Sequence, residues 1–120
     1  MKAAGSYIVR EYLTAGGRSP FRDWLDRLDV PVKARIQARI LRFESGNLGD
    51  CKHAGAGVRE ARIDFGPGFR IYFGMEGRNL VLLLCGGAKG TQSRDIDQAR
   101  KFWLDYLERG KHGKARERLE

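Results

Sequence analysis

Six apolar residues in a row, Leu80 to Cys85, lie between a turn-forming stretch (Glu76-Gly77-Arg78-Asn79) and a pair of glycines (Gly86, Gly87). The run is far too short to cross a membrane as a helix, which takes about 18 apolar residues. It has the length of a strand but not the alternation of a half-exposed one. It therefore reads as a central strand covered on both faces. Such a strand needs apolar cover from elsewhere in the chain.

The flanking sequence supplies it. Residues 7–13 (YIVREYL) suggest a first strand. Ser19-Pro20 is a helix start, with serine as cap and proline in the first turn, leading into a helix over 21–28. Phe21, Trp24, Leu25 and Leu28 share one side of it. Pro31 opens a second helix to about Glu44, in which Val32, Ile36, Ile40 and Phe43 recur at helical spacing. The glycine-bearing stretch 45–57 reads as an irregular loop. Residues 58–65 alternate, which places Ala61, Ile63 and Phe65 on the core side and Glu60, Arg62 and Asp64 on the other. Gly66-Pro67-Gly68 is a turn, and a further strand covers 69–74. After the apolar run comes a loop, 86–92. Ser93 is then expected to cap a last helix whose apolar stripe includes Ile96, Phe102, Trp103 and Leu107.

The order is β-α-α-β-β-β-α, an α+β chain. Its economical arrangement is a three- to four-stranded antiparallel sheet with an N-terminal helical hairpin and a C-terminal helix on one face. With 120 residues one domain is expected, over 1–108, followed by a basic frayed tail over 109–120.

Charge narrows the partners. The formal net charge is +8, which favours nucleic acid, an acidic protein or an anionic surface. The start of the chain lacks the apolar stretch of a secretory signal, so a cytoplasmic setting with unpaired Cys51 and Cys85 is expected. The spacings of metal-binding motifs are absent, with only His53 and His112 among the histidines, and no cofactor or metal is expected. The charged sheet face carries more. Arg70 and Tyr72, two apart, point to one side, and Arg62 is expected beside them. Guanidinium groups on a rigid sheet can clamp phosphate, and Tyr72 could stack on a base or relay a proton. Cross-strand ion pairing among Glu60, Arg62, Asp64 and Arg70 is the alternative use of that face.

Four stretches carry a resemblance: SPFRDWLDRL (19–28), ARIQARILRFESGNLGDCK (34–52), GVREARIDFGPGFRIYF (57–73) and LVLLLCGGAKGTQSRDIDQA (80–99). With them the chain resembles the RelE/ParE superfamily of type II toxins, in particular its HigB-like addiction module killer branch. The resemblance implies a RelE-like α+β fold and a growth-inhibiting toxin. RelE-like members cut mRNA in the ribosomal A site without metal, whereas ParE-like members poison DNA gyrase. A degenerate toxin that only binds its antitoxin is a third possibility. Both active types are neutralised by a small antitoxin, here expected to be of helix-turn-helix type with an acidic segment.

The resemblance implies that Arg70 stabilises the transition state, that Arg62 is near the position of a proton-abstracting basic residue, and that Lys89 is a further catalytic cation. Tyr72 completes the expected catalytic set. Arg59, Lys52, His53 and Gln92 are the expected RNA contacts. Gln92 and Asp95 occupy the region where RelE-like enzymes carry a C-terminal tyrosine, so the general acid and base stay unassigned.

Overall fold

A computed structural model describes residues 5–119, with side chains described through Gly110. The elements are β1 (Ile8–Glu11), α1 (Pro20–Asp26), α2 (Val30–Glu44), β2 (Cys51–Gly55), β3 (Val58–Ile63), β4 (Phe69–Glu76), β5 (Leu80–Ala88) and α3 (Gln92–Leu119), with a 3-10 turn, Lys89–Thr91, leading into α3. The chain is α+β. No helix of the described residues is long and apolar enough to cross a membrane.

The sheet has five strands in the order β1-β5-β4-β3-β2. Three to four antiparallel strands were expected, and two features differ. β1 runs parallel to β5, pairing Ile8 with Leu80 and Glu11 with Leu83, so the sheet is mixed. The chain returns from β1 through two helices and three strands, which leaves the direction of that pairing free of any hairpin constraint. The extra strand, β2, lies inside the stretch read as loop. It is an edge strand, mostly exposed, so it has no need of an alternating apolar pattern. Its register shifts between His53 and Gly55, and Gly55, Ala56 and Gly57 all have positive φ in the turn to β3.

Helices cover both faces, not one. On the first face α1 and α2 bury Phe21, Leu25, Ile36 and Phe43 against Ala61, Ile71, Phe73 and Leu83. On the second, α3 packs Ala99 and Trp103 against Val58, Tyr72, Leu82 and Leu84. The uniform apolar run of β5 is the signature of this double cover. That run also hides a bulge. Tyr72 pairs with Cys85 but Phe73 pairs with Leu83, so Leu84 is the extra residue. Beyond Cys85 the strand continues through Gly86, Gly87 and Ala88, which were expected to be loop. These glycines admit close neighbours: a methyl group on Gly86 would overlap the Trp24 ring, and one on Gly87 the Asp95 carboxylate. Gly86→Ala is therefore expected to lower stability by about 1–3 kcal/mol through overpacking against Trp24. Chemical denaturation checks it, and an unchanged midpoint would reject the packing.

Local chemistry sets the helix starts. Ser19 caps α1, its hydroxyl accepting the Arg22 amide at 3.0 Å, with Pro20 in the first turn. α3 begins at Gln92, one residue before the expected cap, so Ser93 lies in its first turn. Midway along α3, Tyr12 donates to Asp105 at 2.6 Å, and Arg109 bonds both Asp105 and the Leu13 carbonyl. Arg109, expected at the head of a frayed tail, is thus clamped to the end of β1. The rest of that tail, 111–120, lies outside the described side chains.

Candidate active site

The β3–β4 hairpin is centred near Gly66, so Glu60 pairs with Tyr72 and Arg62 with Arg70. Alternation then puts Glu60, Arg70 and Tyr72 on the α3 face together. Lys52 of β2 pairs with Glu60 and joins them from the edge. The first residue of α3, Gln92, arrives from the far side. Five side chains from four elements meet here.

Glu60 is the centre of the group. It is fully buried, 0% exposed. Its Oε2 accepts hydrogen bonds from the Tyr72 hydroxyl at 3.1 Å and from Gln92 Nε2 at 3.0 Å. Its Oε1 accepts none, and faces the Arg70 Nε at 3.8 Å and the Lys52 Nζ at 3.7 Å. The Arg70 Nε is also buried without a hydrogen-bond partner. Carboxylate and guanidinium are therefore near enough to attract, but are not hydrogen-bonded through these atoms. Arg70 spends Nη1 on the Phe69 carbonyl at 3.0 Å. Lys52 remains 57% exposed and stands between the cluster and solvent.

Lys89 adds a third cation. Its amide donates to the Gly68 carbonyl at 3.2 Å, which ties the start of the 3-10 turn to the turn before Arg70. Gly68 has φ of 95° and lies against both Arg70 Nη1 and the Lys89 Cβ. A shallow depression of about 440 Å³ follows from Lys89 to Arg94. Arg70 and Lys52 beside one carboxylate, with Lys89 at the adjoining turn, leave an excess of positive charge, suited to holding a phosphate and to opposing charge that grows on it.

The other expected residues go elsewhere. Arg62 starts on the same face, but its guanidinium turns to Asp50 at 3.2 Å, and this hydrogen bond raises its pKa. Arg59 and His53 pair with each other across β2 and β3. Arg59 also lies opposite Phe73, whose ring belongs to the α1–α2 core, so this pair is on the reverse face from Glu60. Tyr72 is 0% exposed and its ring is in the α3 core. It has no face open to a base, which corrects the expectation of stacking. Burial first, then the Glu60 charge and hydrogen bond, push its pKa far above the usual phenol value. It is a donor that holds Glu60, not a proton relay near neutral pH.

Glu60 itself was missed as a site residue, having been read as one member of an exposed ion-paired face. The signal was present: a hairpin centred on Gly66 places Glu60 opposite Tyr72, whose ring must be buried if α3 covers that side.

Cys85 lies behind the site, 7% exposed. Burial, and secondarily Asp95, push its thiol up to about 12 from 9.0. For a raised acid the folded state keeps its proton while the unfolded state loses it. Stability is then unaffected below about pH 9 and falls by about 1.4 kcal/mol per pH unit from there toward 12. Denaturation across that range tests this; Cys85→Ala should flatten the decline, and an equal slope in both proteins would reject it.

No model of a known protein family matches the chain. It is similar to an uncharacterized protein of Haemophilus influenzae, 48% identical over 81 residues, which span 67% of this chain and 82% of that protein.

Proposed function

We propose that this chain, which belongs to the same family as the Haemophilus influenzae protein, is the toxin of a type II toxin–antitoxin system and cuts ribosome-bound mRNA. The observation that carries the reading is the placement of Arg70 on the α3 face with Lys52 and Lys89 beside it and a buried carboxylate behind it. The sequence stretches that resemble RelE-like toxins, and the +8 charge, support it. On this reading the fold is RelE-like, with α1 and α2 as its N-terminal helical hairpin.

The chemistry is a metal-independent transesterification. The ribose 2′ hydroxyl gives its proton to solvent water as its oxygen attacks the adjacent phosphorus, the O2′–P bond forms, and the bond to the 5′ oxygen breaks. A 2′,3′-cyclic phosphate and a 5′ hydroxyl result. Charge grows on the phosphorane, where Arg70 and Lys52 oppose it. Lys89, exposed beside Arg70, donates the proton the 5′ oxygen needs. Glu60 orients Arg70 and Lys52 from behind and does not touch the substrate. The message is brought into line by the ribosome, which provides the positioning that the exposed Lys52 and Lys89 side chains cannot. An acidic antitoxin segment complements the basic surface and blocks the toxin.

Incubating the protein with ribosomes and a defined message tests the reading. Cuts at A-site codons are expected, with none in free RNA. Intact message at full dose rejects it. A second reading, non-enzymatic inhibition of DNA gyrase, is favoured by one observation: Tyr72 is buried and His53 is on the reverse face, so among the described residues no histidine or open tyrosine stands on the Arg70 face. Loss of gyrase supercoiling with translation spared would select it.

A further inference from the structure

The guanidinium of Arg62 leaves the Arg70 face for a groove between α2 and the end of β3. This groove, of about 340 Å³, is lined by Arg35, Arg39, Arg42 and Arg62 together with Asp50 and Asp64. Four guanidiniums face two carboxylates. Arg35, Arg39 and Arg42 are spaced four and three apart, so they form one stripe along α2.

The floor of the groove is unusual. Arg39 is buried, and all its hydrogen bonds go to neutral carbonyls: Leu48 at 3.0 and 3.2 Å, Asp50 at 2.8 Å and Arg62 at 2.8 Å. Carbonyls satisfy its N–H groups but do not cancel its charge. Burial, with Arg42 as a like-charged neighbour, lowers its pKa, although an arginine stays charged near neutral pH. A desolvated cation thus lies under three others. Arg62 adds a buried Nε that has no partner. Its one salt bridge, to Asp50, leaves the groove in net positive balance.

Arg35 decides what kind of anion fits. Its guanidinium lies over the Phe65 ring, 4.6 Å from the centroid. Arg35 is exposed, so the side of its guanidinium turned away from the ring is open to solvent, where a guanidinium plane can stack on a nucleobase. An acidic peptide needs the charges but has no use for the flat face. The stripe from Arg35 to Arg42 rises about 10 Å along the helix, enough to follow successive phosphates of one strand.

We infer that the α2–β3 groove is a second binding site, for the sugar–phosphate backbone and a stacked base of single-stranded RNA, on the opposite side of the sheet from Arg70. Arg62 connects the two, since it pairs with Arg70 across the hairpin and turns its side chain into the groove. The choice of RNA as ligand rests on the RNA-directed function proposed above. Arg62 therefore serves RNA binding here, in place of the proton abstraction expected of it.

Binding of a labelled short single-stranded RNA, followed by anisotropy against salt, tests the site. Arg35→Glu/Arg42→Glu is compared with the charge-matched Arg78→Glu/Lys101→Glu, whose side chains lie outside both sites. The groove variant is expected to bind at least about tenfold more weakly than the control. Its salt slope should be shallower by about 1.4, at about 0.7 per lost contact on a single strand. If its thermal transition is lost, Arg35→Gln/Arg42→Gln replaces it. Equal weakening in both variants would show diffuse charge and overturn the site, as would no weakening in either. A poly-glutamate peptide weakened as much as RNA would assign the groove to an acidic protein and overturn the RNA reading. The readout is binding without ribosomes. An intact groove with no message cleavage would therefore reject the endonuclease alone, while cleavage with an inert groove would reject the groove alone.

Discussion

Replacing Arg70 by alanine is expected to reduce ribosome-dependent message cleavage by about 100- to 1000-fold, the loss typical of removing one preorganised donor from a developing oxyanion. Arg70 earns this weight by geometry. Its Nη1 is held by the Phe69 carbonyl and its Nε faces Glu60, so the plane of the guanidinium is set before any substrate arrives. That leaves Nη2 for a phosphate oxygen. Alanine would also strip Glu60 of its buried counter-ion, and a lower rate could then reflect unfolding. Arg70→Lys separates the two effects. It keeps a charge beside Glu60 but loses the planar fork, so stability should largely recover while most of the cleavage loss remains. The comparison needs rates at saturating ribosome together with a melting curve for each protein. Wild-type cleavage by a folded Arg70→Ala protein would remove this residue from the mechanism.

The parts of the site that could be read from the sequence are those fixed by local periodicity. The turn at Gly66-Pro67-Gly68 and the alternation on either side of it bring Arg70 and Tyr72 to one side, as the structure has them. The same two-residue period placed Ala61 and Ile63 in the core, where they are buried. The uniform apolar run 80–85 announced a strand with cover on both faces, although the simplest element order suggested one. The missed features depend on contacts distant in sequence. β2 is an edge strand with glycines at its end, and only its partner β3 makes it a strand. Gly86 and Gly87 look like loop until Trp24 and Asp95 are seen lying on them. The Leu84 bulge shifts the faces of a run in which every residue is apolar, so no pattern records it. Arg62 has the right strand position for the Arg70 face, yet Asp50, 12 residues away, draws its guanidinium aside.

Glu60→Gln gives the largest expected effect on stability. The amide keeps the shape of the side chain and can still accept from the Tyr72 hydroxyl, so little packing is lost. What disappears is the only carboxylate among the described residues in ion-pairing range of Arg70, whose side chain is 7% exposed. A buried guanidinium without a counter-ion is the costly half of a broken pair, and such losses run to about 3–5 kcal/mol. Lys52 would offset nothing, because it has the same sign and simply turns to water. The 3.8 Å separation of Arg70 Nε and Glu60 Oε1 argues for the lower part of that range, since the pair lacks a direct hydrogen bond through those atoms. A double-mutant cycle isolates the cause. Arg70→Met alone leaves a buried carboxylate that still has Tyr72, Gln92 and Lys52, so it should cost less than Glu60→Gln. Glu60→Gln/Arg70→Met removes both charges and should recover much of the loss. Urea denaturation of the four proteins measures the coupling. Strictly additive losses would show that the two charges do not stabilise each other, and would leave Glu60 without its role of positioning Arg70.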